Sequence, residues 1–92
     1  MALIVIKKSK DSAISKRMLE LAKTGDTVLL VQDGVFYAID EETKKIVDKG
    51  IQVFVLEEDL NARGYSKDAS IFPCVNYDGW VELLEENELV IS

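Results

Sequence analysis

Apolar residues fall into two patterns along the chain. Residues 2–6, 27–31 and 51–56 are short, nearly unbroken apolar runs, which is how strands covered on both faces read. Between the first two, Ile14, Met18, Leu19, Leu21 and Ala22 fall mostly at helical spacing, with Asp11 and Ser12 able to cap the start and Gly25 to stop the end. Strand, helix, strand at this length is a parallel crossover unit. From Val35 the pattern predicts a second helix carrying Phe36, Ala38 and Ile39, then a polar stretch, then Ile46 and Val47. Glu57, Glu58 and Asp59 follow the third strand and favour a helix N-terminus, which Gly64 closes. Residues 65–71 read as a loop and 72–77 as a fourth strand. Residues 78–86 read as a helix burying Trp80, Val81, Leu83 and Leu84, and 89–91 as a small edge strand. The expected fold class is α/β: a three-layer open, mainly parallel sheet of four to five strands with helices on both faces and flavodoxin-like topology, forming a single domain over residues 1–92.

In such a sheet the loops at the carboxyl ends of the strands gather on one edge and form a crevice. Gln32-Asp33-Gly34, Glu57-Glu58-Asp59 and Tyr77-Asp78-Gly79 are all expected there. Gly34 permits a tight turn or a close backbone approach, and Asp33 can cap the helix that follows. Arg63 presents a planar fork suited to an anion or a partner carboxylate, yet Asp59, four residues earlier on the same helix, can pair with it. Phe36 and Tyr37 are adjacent, so both cannot face inward. One exposed ring is expected, either at an interface or as a solvent-facing Tyr37 beside a core Phe36.

Charge and composition narrow the function. Eleven basic against seventeen acidic residues give a net charge of −6, which repels phosphate backbones and argues against direct nucleic-acid binding. No apolar run approaches the ~20 residues of a membrane span, and the order of charges at the start does not suit a secretory signal. A cytoplasmic location is expected. One cysteine and no histidine exclude an internal disulfide, the usual zinc sites and the imidazole base that most serine or cysteine nucleophiles need. The carboxylates Asp33, Glu57, Glu58 and Asp59 match no metal loop and read as a solvated acidic rim. Neither GxGxxG nor GxxxxGK[ST] occurs, so nucleotide binding has no motif behind it and no cofactor is expected.

"LLVQDGVFYAI", then "VFVLEEDLNARGYS", then "CVNYDGWVELL", in that order over nearly the whole chain, resemble the DsrH/TusB family of small sulfur-relay proteins within the wider DsrE/DsrF/DsrH-like fold. The resemblance implies complexes with DsrE-like and DsrF-like partners, or a homodimer without them. It also implies a part in handing persulfide sulfur between proteins, toward thiolation of a transfer-RNA wobble uridine or toward sulfur oxidation. Such a relay needs a reactive thiolate. The DsrE-like relatives carry theirs at the position corresponding to Leu56, and some DsrH members carry a cysteine near the position of Met18; neither thiol is present here. The remaining thiol, Cys74, falls inside the expected fourth strand, where a cysteine acts as a small buried hydrophobe. The reading is therefore a subunit without catalytic activity of its own, which positions a cysteine-bearing DsrE-like partner. Its partner-facing or ligand-binding edge is Gln32, Asp33, Gly34, Val35, Phe36, Tyr37, Asp59 and Arg63. The alternatives are a persulfide carrier using Cys74, or a small anion- or nucleotide-binding module at the same edge.

Overall fold

The computed structural model describes residues 2–9, 11–46, 50–87 and 89–91. The elements run β1 (Ala2–Ile6), α1 (Ala13–Leu21), β2 (Thr27–Leu30), a 3-10 helix (Gln32–Ile39), α2 (Thr43–Ile46), β3 (Gln52–Leu56), α3 (Glu57–Ala62), a short 3-10 turn (Lys67–Ala69), β4 (Cys74–Val75), α4 (Tyr77–Glu86) and β5 (Leu89–Ile91). The unbroken apolar runs became the central strands. Every residue of β1 and β2 is buried.

All five strands are parallel, in the order β4-β3-β2-β1-β5. The α/β class and the two-faced cover are as expected. The strand order is not the 2-1-3-4-5 of flavodoxin-like sheets, because β2 and β3 step away from β1 on one side while β5 returns to its other side. Periodicity specifies how a strand is covered, not which neighbour it takes. One face carries Ile4, Ile6, Val28, Leu30, Val53 and Val55, beneath Leu19 of α1, Val35, Tyr37 and Ala38 of the 3-10 helix, and Leu60 of α3. The other face carries Leu3, Val5, Leu29, Val31 and Leu56 beneath Leu83 of α4, with Trp80 packed alongside.

Local signals place α1 well: Ser12 is its N-cap and its side chain accepts the Ser15 N–H. Its apolar residues divide differently from expectation. Leu19 and Ala22 are buried, whereas Ile14 and Leu21 stay exposed. On α4 likewise Leu83 is buried and Val81 and Leu84 are exposed. Two differences concern length. The helix expected from Val35 is a 3-10 helix followed by the four-residue α2, and the Val47 assigned to its far end lies outside the described residues. The fourth strand holds only Cys74 and Val75, since at the sheet edge it has one neighbour to pair with.

Asp26 ties the start of β1 to the start of β2. Its carboxylate accepts the Lys23 N–H at 2.9 Å and the Ala2 N–H at 3.0 Å. Those two bonds, Lys23 foremost, hold its carboxyl below the usual carboxylate range. A lowered carboxyl pKa stabilises the fold above the unfolded value of about 3.9, and that contribution is lost as pH falls through the folded value. Asp26→Ala is therefore expected to lose about 1 kcal/mol at neutral pH. The gap between the two proteins should narrow as pH falls below the unfolded value of about 3.9 and through the lowered folded value. Urea midpoints measured across that range check it, and a gap independent of pH would mean the carboxylate charge plays no part.

Candidate functional site

Three strand ends meet at one place. After β2 the backbone of Gln32 turns into the left-handed region, with φ +50°. For a residue with a side chain this costs about 1–2 kcal/mol. The Gln32 N–H donates to the Asp59 carboxylate at 2.7 Å, a contact from β2's end to the first turn of α3. Two residues on, Gly34 lies so close to β1 that a Cβ there would come within 2.1 Å of the Ile6 carbonyl oxygen. Of the two roles that Gln32-Asp33-Gly34 offered, Gly34 takes the close approach.

Asp33 does not cap the helix. The residue at that position is Val31, with no side-chain cap bond, and Asp33 instead accepts from Arg63 Nε at 3.0 Å. The Asp59–Arg63 ion pair expected from four-residue spacing is replaced accordingly. The Asp59 carboxylate is engaged with Gln32, and Arg63 Nη1 donates to the Asp59 carbonyl at 3.2 Å. Helical spacing could offer Arg63 a partner on its own helix; the better-placed carboxylate came from the first turn of the 3-10 helix after β2. The aromatic pair is also reversed. Tyr37 is buried, while Phe36 is half-buried and meets the Tyr65 ring edge-on with centroids 6.3 Å apart. A 3-10 helix has about three residues per turn, so Val35 and Ala38 fall together facing the sheet, and Tyr37 beside them is also enclosed. The expected edge residues thus divide. Gln32, Asp33, Asp59 and Arg63 form one linked surface group, while Gly34, Val35 and Tyr37 are buried beneath it.

Gln32 and Asp59 also line a cavity of about 330 Å³. Its floor is Val5, Val31 and Leu56, from the carboxyl ends of three strand runs; Trp80, Leu84 and Val90 form its wall, and Lys7, Gln32, Asp59 and Tyr77 its polar mouth. Sequence reading assigned Trp80 to the core and did not consider Lys7. For Lys7 the usable signal was its place directly after β1, since every parallel strand delivers its following residue to this edge. The Trp80 indole N–H is buried and has no hydrogen-bond partner among the described residues, and neither does Glu58 Oε1. The other oxygen of Glu58 accepts the Tyr77 N–H at 3.3 Å. Among the described residues no group of carboxylates, cysteines or histidines could hold a metal ion, and no helix is long and apolar enough to cross a membrane.

The only thiol in the sequence lies elsewhere. Cys74 is on β4, paired with Val55 and packed with the cluster on the face opposite the cavity. Burial pushes its thiol pKa up, and a Ser70 hydrogen bond opposes this only in part. A raised pKa lowers the thiolate fraction that attacks electrophiles. Native Cys74 is expected to react with iodoacetamide at neutral pH about tenfold more slowly than the unfolded chain; equal rates would show it to be open and reactive.

A family model described as "DsrH like protein" matches residues 8–90. The chain belongs to the DsrH/TusB sulfur-relay family. The curated Protein TusB of Erwinia tasmaniensis is 37% identical over 70 residues, covering 74% of this chain and 72% of that protein. Protein TusB of Salmonella arizonae is 45% identical over 49 residues, about half of each chain. Among solved structures, a solution structure of protein Tm0979 from Thermotoga maritima superposes with a TM-score of 0.77 at 34% identity, over 96% of this chain and 95% of that one. A second structure of Tm0979, described as a candidate sulfur transferase, matches over the whole of both chains at 33% identity with a TM-score of 0.69. These likenesses agree with the parallel α/β sheet of this DsrH-family member.

Proposed function

We propose that this DsrH-family chain is a non-catalytic subunit of a cytoplasmic sulfur-relay complex, and that it presents its strand-end surface to a cysteine-bearing DsrE-like partner. The observation that carries this is the chemistry of Leu56. It occupies the end of β3, at the head of α3 and on the cavity floor, where the family resemblance puts the active thiol of DsrE-like proteins. Here the position is apolar and buried. The chain's own thiol is on the other face with its pKa raised. A persulfide passing this edge must then be carried by a partner's cysteine. The linked group of Gln32, Asp33, Asp59 and Arg63 offers that partner a rigid polar rim. Whether the sulfur goes on to a transfer-RNA uridine or into sulfur oxidation depends on the partner. With a net charge of −6, any basic surface for RNA must come from another subunit.

The test is capture of the tagged protein from its own cells under reducing conditions, with the native mass and composition of what is recovered. A cysteine-bearing DsrE-like protein is expected at fixed stoichiometry. Arg63→Ala should weaken that complex about tenfold while changing the fold's stability by about 1 kcal/mol or less, because its partner Asp33 is largely exposed to solvent. Recovery of the chain with no such partner would overturn the proposal.

A further inference from the structure

After β1, β2 and β3 the chain turns each time to the same face of the sheet, where α1, the 3-10 helix and α3 pack. The other face is covered by α4 alone among the described helices. At the carboxyl ends of the three central strands this second face therefore keeps an open crevice, the place where parallel sheets receive ligands. The cavity of about 330 Å³ lies there, near the lower end of the range for small-molecule sites. Such a volume suits one or two fused rings and is too small for a dinucleotide. Val5, Val31 and Leu56 make its floor apolar. Its wall and mouth hold an aromatic pair: the Trp80 and Tyr77 rings have centroids 6.2 Å apart and planes 28° from parallel. Tyr77 is 51% exposed, which leaves ring surface on which a further ring can stack.

The polar groups decide the character of that ring. Among the described residues that line the cavity, Lys7 and Asp59 are the only charged ones. Their signs cancel, and the chain's net charge of −6 works against a phosphate, so an uncharged molecule is favoured. The Gln32 backbone N–H is held by Asp59, but its side-chain carboxamide has no partner among the described residues. It brings a donor and an acceptor to the mouth together. The Trp80 indole N–H is a buried donor without an acceptor among the described residues, and such donors are uncommon in native folds. A ring laid flat on Tyr77 is nearly parallel to the indole and can meet that N–H edge to edge. We infer that the cavity is a binding site for a small, uncharged, bicyclic nitrogen heterocycle of purine size. It stacks on Tyr77, accepts from the Trp80 indole and the Gln32 carboxamide, and donates a ring N–H to Asp59. The inference goes beyond the partner reading of the strand-end rim and does not rest on it.

Trp80 is the only tryptophan in the sequence, so its indole N–H gives a single cross-peak in a proton–nitrogen correlation spectrum and reports on this cavity. Adenine and hypoxanthine, whose donors and acceptors are arranged differently, are titrated into the purified full chain. At least one is expected to move that cross-peak saturably with a Kd on the order of 100 µM, the affinity that a ligand of about ten heavy atoms reaches. Adenosine monophosphate, which adds a charged phosphate, should bind about tenfold more weakly than the better base. Gln32→Gly removes the carboxamide and at the same time eases the backbone, since φ is +50° there and glycine adopts positive φ freely. It should weaken the base about fivefold while leaving the urea midpoint no lower than the parent's, which separates lost binding from lost folding. The absence of a saturable shift with both bases at millimolar concentration would overturn the inference. So would affinity untouched by Gln32→Gly, or adenosine monophosphate binding more tightly than either base, which would make the cavity an anion site. Partner capture is measured in cell extract and the titration on the isolated chain, so failure of one reading leaves the other standing.

Discussion

Gly34→Ala is expected to remove about 3 kcal/mol or more of folding stability, among the largest effects a single methyl group can have. The added Cβ would sit 2.1 Å from the Ile6 carbonyl oxygen and 2.8 Å from its carbon. Both are backbone atoms at the end of β1, with no rotamer to change. The same carbonyl accepts the Val31 N–H at 2.9 Å, so displacing it also strains the junction from β2 into the 3-10 helix. Alanine does restrict the unfolded chain, which in an unstrained site stabilises by about 0.4–1 kcal/mol; the clash outweighs that gain. Urea unfolding of the variant checks it. A loss below about 1 kcal/mol would mean that the 3-10 helix can lift off β1 without disturbing the core.

Leu60→Ala is expected to lose about 2–5 kcal/mol and to loosen the strand-end rim as well. Leu60 is fully buried and is the only buried residue of α3. A helix of six residues has no stability of its own, so its place depends on that one side chain in the cluster with Val55, Tyr37 and Ile6. On the exposed side of the same helix, Asp59 receives the Gln32 N–H, and Arg63 at its C-terminal end reaches Asp33. Hydrogen exchange gives a readout specific to this link. The Gln32 amide should exchange faster in the variant by more than the global loss of stability accounts for, because opening α3 alone releases it. If Gln32 exchanges only in step with the β2 core, the rim is held by the loop after β2 and not by α3.

Together the two substitutions locate what supports the proposed partner surface. Gly34 sets how closely the loop after β2 lies on β1, and Leu60 sets where α3 meets that loop. Arg63 and Asp59 are only as well placed as those buried contacts allow. The polar residues of the rim are exposed or half-buried and each contributes little to stability, so partner binding and folding can be perturbed separately. Arg63→Ala addresses binding, and Gly34→Ala addresses the frame.

By itself the sequence determined the elements and their class. Burial on both faces leaves continuous apolar runs, so β1, β2 and β3 were legible, and helical spacing behind Ser12 marked α1. It also determined the absence of histidine and a single cysteine, which restrict the available chemistry whatever the fold. Three short motifs in order were enough for the family, which the match over residues 8–90 bears out. The tertiary structure decided what depends on neighbours distant along the chain. A run of apolar residues is the same in a strand beside β1 as in one beside β2, so the order β4-β3-β2-β1-β5 was not readable. Amphipathic spacing reports that a helix has an apolar face, but Ile14 and Leu21 belong to the same apolar pattern as the buried Leu19 and yet stay exposed, which only the packed structure decides. Sequence spacing offered Arg63 the carboxylate of Asp59, four residues earlier on its own helix. Arg63 meets Asp33, 30 positions away, because the Gln32 backbone had already claimed Asp59, and only the folded chain brings those three residues together.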